Sequence, residues 1–520
     1  MGKNDKNKKK GKGAEKTAMK TDKKLAAKQK RMLEKLGETD IAEFVAQLEA
    51  EEARRKTVTE EVCAPPTPRS NFTFVAYPEK EELILFGGEF YNGQRVCIYN
   101  DLFIYNIPKK LWRQVKSPAG PAPRSGHQMV AVATDGGQLW IFGGEHASPS
   151  QMQFFHYKDL WVMRMKTRTW EKINAPNAPS ARSGHRMVVN KKRIYVFGGF
   201  HDNNQTYRYF NDIHIFSMES YDWLKINVSD AIIPAPRSGC CMAVCPDGKV
   251  LVWGGYSKAA IKKDADRGVV HTDMFSLVPD KANPNEKFKW IIVKPGGYKP
   301  LPRSSVSCTM APNGKAYCFG GVMDIDEDEE DIKGQFGEDL LALDLTSLTW
   351  RLLEITKKEN KVEKKDETAV QDIKMETASS STKTVHTDGV FTVTVGGAPT
   401  GSGGNTSFSK VPSLFPNRRP KNVPSPRMNS GLCVCKGTLY VYGGLYEEDN
   451  KQYTFNDFYA LDLHRLNEWE VIIPNNMDAH EWIESESSNS DESGSGNSTT
   501  SDSESDNDEA VDDDEGMDTN

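Results

Sequence analysis

The sequence predicts an all-β protein, a six-bladed β-propeller whose blades are four-stranded antiparallel sheets. Six times an apolar strand runs into a Gly-Gly pair, and a tryptophan follows 24 to 35 residues later. The first four pairs recur every 55 to 56 residues, and a fixed period of that size indicates a repeat architecture. The pairs are Gly87-Gly88, Gly143-Gly144, Gly198-Gly199, Gly254-Gly255, Gly320-Gly321 and Gly443-Gly444. The tryptophans are Trp112, Trp170, Trp223, Trp290, Trp350 and Trp469.

Each repeat contains four short segments with strand character. In the third repeat these are RMVV, RIYVF, DIHIF and WLKI, separated by polar turns such as NKK and SMESY. Short runs rich in β-branched and aromatic residues are typical of strands. We expect the glycines to leave room for a neighbouring chain and the tryptophan to pack between adjacent sheets. The third strands are predicted to begin at Asp101, Asp159, Asp212, Asp273, Asp339 and Asp457.

Together these features resemble the Kelch repeat, in which a Gly-Gly pair ends the second strand, an aspartate begins the third and a tryptophan follows. The resemblance covers residues 68 to 473 apart from one insertion. It implies a propeller that acts as a non-enzymatic interaction protein.

Several segments lie outside the repeats. We predict a disordered Lys-rich tail at 1–37, an amphipathic helix at 38–56, the propeller at 66–474 and a disordered acidic tail at 484–520. Residues 1–35 hold 14 Lys/Arg against four acidic residues, whereas 484–520 hold 14 Asp/Glu and no basic residue. Chains of this composition bury too little apolar surface to fold alone. The insertion 354–423 is predicted to be largely disordered, although FTVTVGG at 391–397 leaves a degenerate seventh blade open.

The predicted helix has Thr39 as its N-cap and one apolar stripe. The stripe contains Ile41, Phe44, Val45 and Leu48. We expect it to pack on the propeller, and the alternative is that it docks into a partner.

The loops between second and third strands are long and varied, and they share one face with the blade-to-blade links. Long loops on a rigid scaffold are where recognition commonly occurs. Aromatic residues in these loops, including Tyr91, Tyr207 and Tyr256, are candidate interface anchors. Each link also carries an arginine just before the first strand: Arg69, Arg124, Arg182, Arg237, Arg303 and Arg427.

These six arginines are expected to surround the mouth of the central channel, because equivalent residues of a closed repeat lie at one height. In Kelch domains that capture short peptides, arginines and serines at matching positions hold acidic groups. That resemblance adds Ser125, Ser183 and Ser238 to the candidate site. The guanidinium fork suits carboxylate or phosphate. The alternative is structural, with each arginine bonded to a neighbouring blade and sealing the link.

The residues give little support to catalysis or metal binding. His127 and His185 are the best acid–base candidates, but their equivalent positions favour a packing role. Copper oxidases built on Kelch propellers use Tyr, His and Cys, and plant nitrile-forming Kelch proteins use Glu, Asp and His at four-residue steps; we can assemble neither set from this sequence. No His or carboxylate at ligand spacing accompanies Cys240-Cys241-Cys245 or Cys433-Cys435. We predict no catalytic residue, no cofactor and no metal.

The predicted function is a non-enzymatic scaffold that binds an acidic or phosphorylated protein segment on the long-loop face. One alternative is a substrate receptor of a ubiquitin ligase, although no BTB-like domain precedes the propeller. The other is an RNA-associated or ribosome-assembly factor that acts through the basic residues 1–35. Nine cysteines, no secretory signal and no membrane-length apolar run predict a cytoplasmic or nuclear protein, with a nucleolar address as an option. Neither a membrane nor a small-molecule substrate is expected.

Overall fold

The computed structural model describes residues 28, 30–33, 35, 37–203, 206–228, 232–262, 265–283, 287–328, 331–355, 422–448, 451–476 and 482–483. Most of the predicted Lys-rich tail, most of the insertion with its segment 391–397, and the predicted acidic tail therefore lie outside the described residues. Within the predicted tail, residues 28, 30–33 and 35 are helical, so helical structure begins earlier than the composition suggested.

Six four-stranded antiparallel sheets form the fold, which confirms the six-bladed prediction. In each sheet the four strands are hydrogen-bonded in chain order. The first strands of all six blades line one central channel with a volume of about 710 Å³. The first three blades consist of β2 (Thr73–Ala76), β3 (Glu82–Phe86), β6 (Leu102–Asn106) and β7 (Leu111–Lys116); β8 (Gln128–Val132), β9 (Gln138–Phe142), β12 (Leu160–Arg164) and β13 (Thr169–Ile173); and β14 (Arg186–Asn190), β15 (Arg193–Phe197), β18 (Ile213–Ser217) and β19 (Asp222–Ile226).

The last three blades repeat this arrangement, and two blades gain an extra edge strand. Outside blade 1, β1 (Thr59–Cys63) pairs antiparallel with β7, and outside blade 5, β26 (Gly296–Gly297) runs parallel to the fourth strand. The sequence analysis predicted neither. The strands of blades 4 to 6 are β20 (Cys241–Val244), β21 (Val250–Trp253), β24 (Met274–Pro279) and β25 (Phe288–Val293); β27 (Ser307–Ala311), β28 (Lys315–Phe319), β31 (Leu340–Asp344) and β32 (Thr349–Leu352); and β33 (Gly431–Cys435), β34 (Thr438–Glu448), β35 (Lys451–Asp462) and β36 (Trp469–Ile473).

The connections between second and third strands are hairpins, although the sequence predicted long loops. Pairing satisfies the backbone groups that an extended excursion would otherwise leave without partners. In blade 6 the two strands simply run on, since β34 and β35 stay paired out to Glu448 and Lys451. The other five hairpins are β4 (Glu89–Tyr91) with β5 (Val96–Ile98), β10 (Glu145–Ala147) with β11 (Phe154–His156), β16 (Phe200–Asp202) with β17 (Tyr207–Tyr209), β22 (Tyr256–Lys262) with β23 (Ala265–Val270), and β29 (Val322–Asp328) with β30 (Asp331–Phe336).

Each repeat tryptophan packs between two blades, as predicted. It contacts the aromatic residue that directly precedes the Gly-Gly pair of the preceding blade. Edge-to-face and tilted ring pairs of this kind add to the area that they bury. The ring centroids are 5.5 Å apart for Trp170–Phe86, 5.4 Å for Trp223–Phe142, 5.6 Å for Trp290–Phe197, 5.9 Å for Trp350–Trp253 and 6.3 Å for Trp469–Phe319.

The same contact closes the ring between blades 6 and 1. Trp112 of blade 1 lies 5.6 Å from Tyr442 and 5.8 Å from Phe458 of blade 6, measured between ring centroids. The Tyr442 hydroxyl donates to the Pro66 carbonyl at 2.7 Å. Among the described residues, these two blades share no strand. Side-chain packing joins them together with backbone hydrogen bonds, from the Arg69 amide to the Phe455 carbonyl at 3.1 Å and from the Gly444 amide to the Arg69 carbonyl at 3.0 Å.

The Gly143-Gly144 pair is required by close approach as well as by backbone angle. Gly143 has φ +65°, and a Cβ there would lie 2.7 Å from the Arg182 carbonyl oxygen. Gly144 has φ +97°, and its Cβ would lie 2.7 Å from the Ser125 carbonyl oxygen. Both conditions exclude other residues, so the pair belongs to the architecture.

The N-terminal helix α1 (Ile41–Arg54) lies close to its predicted range, but its cap differs. The Asp40 carboxylate accepts hydrogen bonds from the backbone amides of Ala42 and Glu43, so Asp40 is the N-cap. Thr39 was predicted for this role and stands one residue too early. Among the described residues, none of the helices combines the length and apolar character that crossing a membrane requires.

Helix α1 packs against blade 2. Val45 is buried in a small cluster with Ala122 and Tyr157. The Gln153 side chain bonds the chain at the start of the helix through Ile41 and Thr39. The helix therefore lies on the propeller, which was the favoured of the two predicted positions.

Candidate interaction face

The six links and the six hairpins meet on one face of the propeller, which we call the hairpin face. There the residue after each link arginine forms a β-bridge with the residue after the Gly-Gly pair of the same repeat. The bridges fix the backbone identically in all six blades, whatever the side chains. They are Ser70–Glu89, Ser125–Glu145, Ser183–Phe200, Ser238–Tyr256, Ser304–Val322 and Met428–Leu445.

The link arginines point into the protein and bind aspartates. Each guanidinium group contacts the carboxylate at the start of its own third strand and donates to the carbonyl of the first glycine of the pair. All but Arg303 are at most 1% exposed. The shortest N–O distances are 2.7 Å for Arg124–Asp159, 2.6 Å for Arg182–Asp212, 2.5 Å for Arg237–Asp273, 2.6 Å for Arg427–Asp457 and 3.6 Å for Arg69–Asp101, and Arg303 bonds Asp339 in the same way.

Arg124 shows how completely such a side chain is engaged. Its two terminal nitrogens bond the two carboxylate oxygens of Asp159 at 2.7 and 3.1 Å, and its guanidinium carbon lies 3.9 Å from the centroid of the Tyr157 ring. Burial would raise the pKa of Asp159, but the charge and hydrogen bonds of Arg124 outweigh it and hold that pKa below its usual value. These contacts engage the guanidinium group inside the protein, as in the structural alternative, although the guanidinium group of each link arginine bonds its own blade and not a neighbouring one. Ligand binding by the ring of arginines stays a prediction.

The predicted serines are also used internally. Ser125 Oγ donates to the Glu89 carboxylate at 2.8 Å, and Ser183 Oγ donates to the Glu145 carboxylate at 3.0 Å. Ser238 Oγ donates to a backbone carbonyl, that of Tyr256, at 3.5 Å. On the side of blades 1 and 2 the serines therefore bond the carboxyl groups of Glu89 and Glu145, where the sequence predicted a ring of cations.

Glu145 holds its proton more tightly than an exposed glutamate. Burial and then the charge of Glu89 raise the pKa of Glu145 to about 8. His156 approaches this carboxylate to 3.6 Å, but burial lowers the pKa of His156 to about 3, so that imidazole is neutral at pH 7. A neutral histidine offers no charge to stabilise the carboxylate.

The predicted interface residue Tyr91 packs against the protein's own C-terminal segment. Its ring lies 5.7 Å from that of Trp482, and the backbone amide of Ile483 donates to the Asn92 carbonyl at 2.9 Å. The chain that follows the propeller therefore reaches the hairpin face at blade 1.

The other two predicted tyrosines, Tyr207 and Tyr256, lie on the neighbouring hairpins of blades 3 and 4. Tyr209 joins these hairpins, with its ring 6.0 Å from Tyr207 and 6.5 Å from Tyr256. Lys258 lies over the Tyr207 ring, with its Nζ 5.7 Å from the centroid. We call the residues Arg208, Lys258, Arg267, Tyr207, Tyr209 and Tyr256 of these two hairpins the cationic patch; its three basic residues are exposed, and Lys258 contacts a tyrosine of the group whereas Arg208 lies over Phe210.

His127 and His185 have the packing role that their repeated positions favoured. His127 Nε2 is hydrogen-bonded to Thr73 Oγ1 at 2.9 Å, and burial lowers its pKa to about 3. His185 is fully buried against Phe142, with ring centroids 5.3 Å apart. Burial also lowers the pKa of His185, so both rings are neutral at pH 7.

Two features of this face escaped the sequence analysis. One is the arginine–aspartate pairing, whose signal is that each link arginine stands 30 to 36 residues before an aspartate of its own repeat. The other is the pair of glutamates after Gly87-Gly88 and Gly143-Gly144, which are visible in the sequence but gain meaning only beside the serines that they bond.

Comparison with known proteins agrees with the repeat pattern. Residues 33–255 match a family model described as "KLHDC2/KLHL20/DRC7 Kelch-repeats domain". Over 302 residues the chain is 25% identical to the N-(sulfonatooxy)prop-2-enimidothioate sulfolyase of Thlaspi arvense, covering 56% of this chain and 80% of that protein.

Two further relatives share part of the propeller at similar identity. Host cell factor 1 of Homo sapiens is 24% identical over 55% of this chain and 14% of its own length. Kelch domain-containing protein 2 of Bos taurus is 28% identical over 43% of this chain and 57% of its own length. The match thus spans little more than half of one of these relatives and about a seventh of the other. The fold is a six-bladed β-propeller, and residues 33–255 of it are similar to a Kelch-repeat domain.

Proposed function

We propose that this protein is a non-enzymatic interaction scaffold that binds an acidic or phosphorylated protein segment through the cationic patch of the hairpin face. The Kelch-repeat propeller itself indicates a protein-interaction role. The observation that carries the finer proposal is that two adjacent hairpins carry three exposed basic residues and three tyrosines, with Lys258 in contact with Tyr207.

The patch combines the chemistry of charge recognition with aromatic anchoring. In the register of each hairpin, Arg208 stands opposite His201 and Arg267 opposite Ala259, so different hairpins supply the two guanidinium groups. Tyrosine provides contact area at low entropic cost beside such charges. Across the two hairpins the basic residues Arg208, Lys258, Lys262 and Arg267 outnumber the acidic residues Asp202 and Asp266.

The channel mouth directs an acidic ligand towards this side. Glu89 and Glu145 occupy the mouth at blades 1 and 2, where a carboxylate or phosphate would be repelled whenever they are ionised. A segment rich in Asp, Glu or phosphoserine therefore has its favourable contacts on blades 3 and 4. Phosphate would add charge that guanidinium groups bind well.

The test is binding of a fluorescent ten-residue peptide of alternating Glu and phosphoserine, followed by anisotropy. Changing Arg208, Lys258 and Arg267 together to Glu should weaken binding by about 10- to 100-fold, since each tenfold step corresponds to about 1.4 kcal/mol. The peptide of alternating Gln and Ser should bind neither protein. Binding should also weaken with added salt.

A matched variant controls for net charge. Lys109, Lys281 and Lys287 are exposed lysines in turns between third and fourth strands, and changing all three to Glu should leave peptide affinity within about twofold. If both triple variants lost peptide affinity equally, only the overall charge would matter, and the proposal that the cationic patch binds the peptide would be contradicted.

The absence of catalysis and the location of the protein are part of the same proposal. His127 and His185, the strongest acid–base candidates, are buried and neutral. All nine cysteines are free thiols, which supports a reducing compartment, cytoplasmic or nuclear. The segments EKEELILFGGEFYNGQ and HYKDLWV resemble Kelch domain-containing protein 4, a resemblance that implies an interaction protein and names no partner.

Two alternative functions stay predictions: an RNA-associated or ribosome-assembly factor, and a substrate receptor of a ubiquitin ligase. RNA contact was predicted through residues 1–35, and of these residues 1–27, 29 and 34 lie outside the described residues. Deleting residues 1–35 should abolish binding to a labelled RNA hairpin if that alternative holds, whereas peptide binding at the cationic patch would be unaffected. Among the residues that the structure describes, no specific contact favours the ubiquitin-ligase alternative.

A further inference from the structure

Three cysteine thiols meet at the boundary between blades 4 and 5. Cys241 lies on β20, and Cys308 and Cys318 face each other across β27 and β28. Their three Sγ atoms all lie within 4.8 Å of one another. The sequence analysis had grouped Cys241 with Cys240 and Cys245, its neighbours along the chain, whereas the fold groups it with two cysteines more than 60 residues away.

These distances suit a shared metal ion. A metal–thiolate bond is about 2.3 Å long, so sulfur ligands of one ion lie about 4 Å apart in trigonal or tetrahedral coordination. Strand pairing fixes the backbone on which all three thiols stand, and small side-chain rotations are enough to bring the sulfurs to that spacing. A disulfide would use two of the three and leave the third unexplained.

We propose that Cys241, Cys308 and Cys318 form a binding site for one thiophilic metal ion, Zn²⁺ or Cu⁺. Thiolate ligands select these soft or borderline ions over Mg²⁺ and Ca²⁺. Each coordinating thiol releases its proton to solvent, three protons for each ion bound. Three sulfurs complete a trigonal Cu⁺ site, whereas Zn²⁺ takes a water as its fourth ligand.

The cysteine group is open to the central channel on one side and buried in the protein on the other. Cys308 is half-buried and lines the central channel, as does Arg186, whose positive charge offsets the excess negative charge of three thiolates. Cys241 and Cys318 are buried in an apolar cluster with Trp253. An ion could therefore enter from the channel and then hold blade 4 to blade 5.

The test is metal binding by the reduced full-length chain without oxygen. Co²⁺, a coloured substitute for Zn²⁺, should bind with one equivalent and show sulfur-to-metal charge-transfer absorption, and Cu⁺ affinity is measured against a chromophoric chelator. Comparing the two ions decides between Zn²⁺ and Cu⁺. Changing Cys308 to Ser should lower the affinity for the preferred ion by more than about 10-fold, the lower end of the loss seen when a metal site loses a supporting group.

The control is Cys433→Ser, because Cys433 is a buried first-strand cysteine of blade 6 outside the group. Cys433→Ser should bind Co²⁺ and Cu⁺ with the same affinity and stoichiometry as the unchanged protein. The proposal is overturned if the unchanged protein binds neither ion, or if Cys308→Ser binds with equal affinity and stoichiometry. If Cys308→Ser does not fold, X-ray absorption of the metal-loaded unchanged protein decides: three sulfur neighbours at about 2.3 Å support the site, and nitrogen or oxygen neighbours alone contradict it.

Discussion

Blades 1 and 2 differ from blades 3 and 4 at one equivalent position, the residue that follows the Gly-Gly pair. Blades 1 and 2 carry Glu89 and Glu145 there, and blades 3 and 4 carry Phe200 and Tyr256. In all four the backbone makes the same bridge to a link serine. The bridge needs only backbone groups, so the side chain is left to vary, and blades 1 and 2 carry acidic side chains at this position whereas blades 3 and 4 carry aromatic ones.

The difference separates the residues that build the ring from those that distinguish its blades. Features present in every blade, the link arginine, its aspartate, the Gly-Gly pair and the tryptophan, all contact one another or the neighbouring blade. Features that change from blade to blade face the channel mouth or the hairpins. Recognition should therefore be sought where the repeats disagree.

The largest expected effect comes from breaking a shared feature. Asp457 and Arg427 are both fully buried, so Asp457→Ala leaves an unpaired buried charge and should lower the free energy of unfolding by about 3 to 5 kcal/mol. Asp101→Ala is the matched control, because Asp101 is 31% exposed and approaches Arg69 only to 3.6 Å. It should cost about 1 kcal/mol or less. If urea denaturation gave the same loss in free energy of unfolding for Asp457→Ala and Asp101→Ala, this ranking would be contradicted.

An intermediate effect on the free energy of unfolding is expected from Glu145, and this effect depends on pH. The folded chain keeps the Glu145 proton up to about pH 8, whereas the ordinary value is 4.5. The folded state therefore binds more protons between these values, and the free energy of unfolding falls as the pH rises through them. Glu145→Gln should remove this fall and stabilise the protein above pH 8 by on the order of 2 kcal/mol.

Denaturation at pH 4.5 and at pH 8.5 measures the effect of Glu145→Gln. The variant should match the unchanged protein at pH 4.5, where Glu145 is protonated in the folded state. Glu43→Gln, an exposed change on helix α1, should show no such dependence. A Glu145→Gln difference that is the same at both pH values would show that burial does not hold the proton.

The smallest effect is expected where the C-terminal segment meets blade 1. Trp482→Ala removes the ring contact with Tyr91 and should cost about 1 kcal/mol, the usual worth of an aromatic pair at a half-buried site. Hydrogen exchange should speed up in residues 89–98 and stay unchanged in residues 200–209. Faster exchange in both hairpins would mean that the segment supports the whole face rather than blade 1 alone.

The blades could be predicted from the sequence because their signals are local and repeated. The strand boundaries in the third repeat and the inter-blade role of Trp223 both follow from short-range pattern and period. The hairpins were missed because their residues vary from blade to blade and gave no common pattern. The Asp40 cap was missed because Thr39 and Asp40 are both good cap residues, and the chain geometry decided between them.

The sequence by itself determined how many blades there are, where each begins and which tryptophan separates it from its neighbour. These features follow from a motif that recurs along the chain, so comparing the repeats is enough to find them. Only the tertiary structure decided that the link arginines bind aspartates, that Ser125 and Ser183 bond Glu89 and Glu145, and that Cys241 meets Cys308 and Cys318. Those contacts join residues 30 to 77 positions apart. The closed ring alone sets their distances, so no local pattern could specify them.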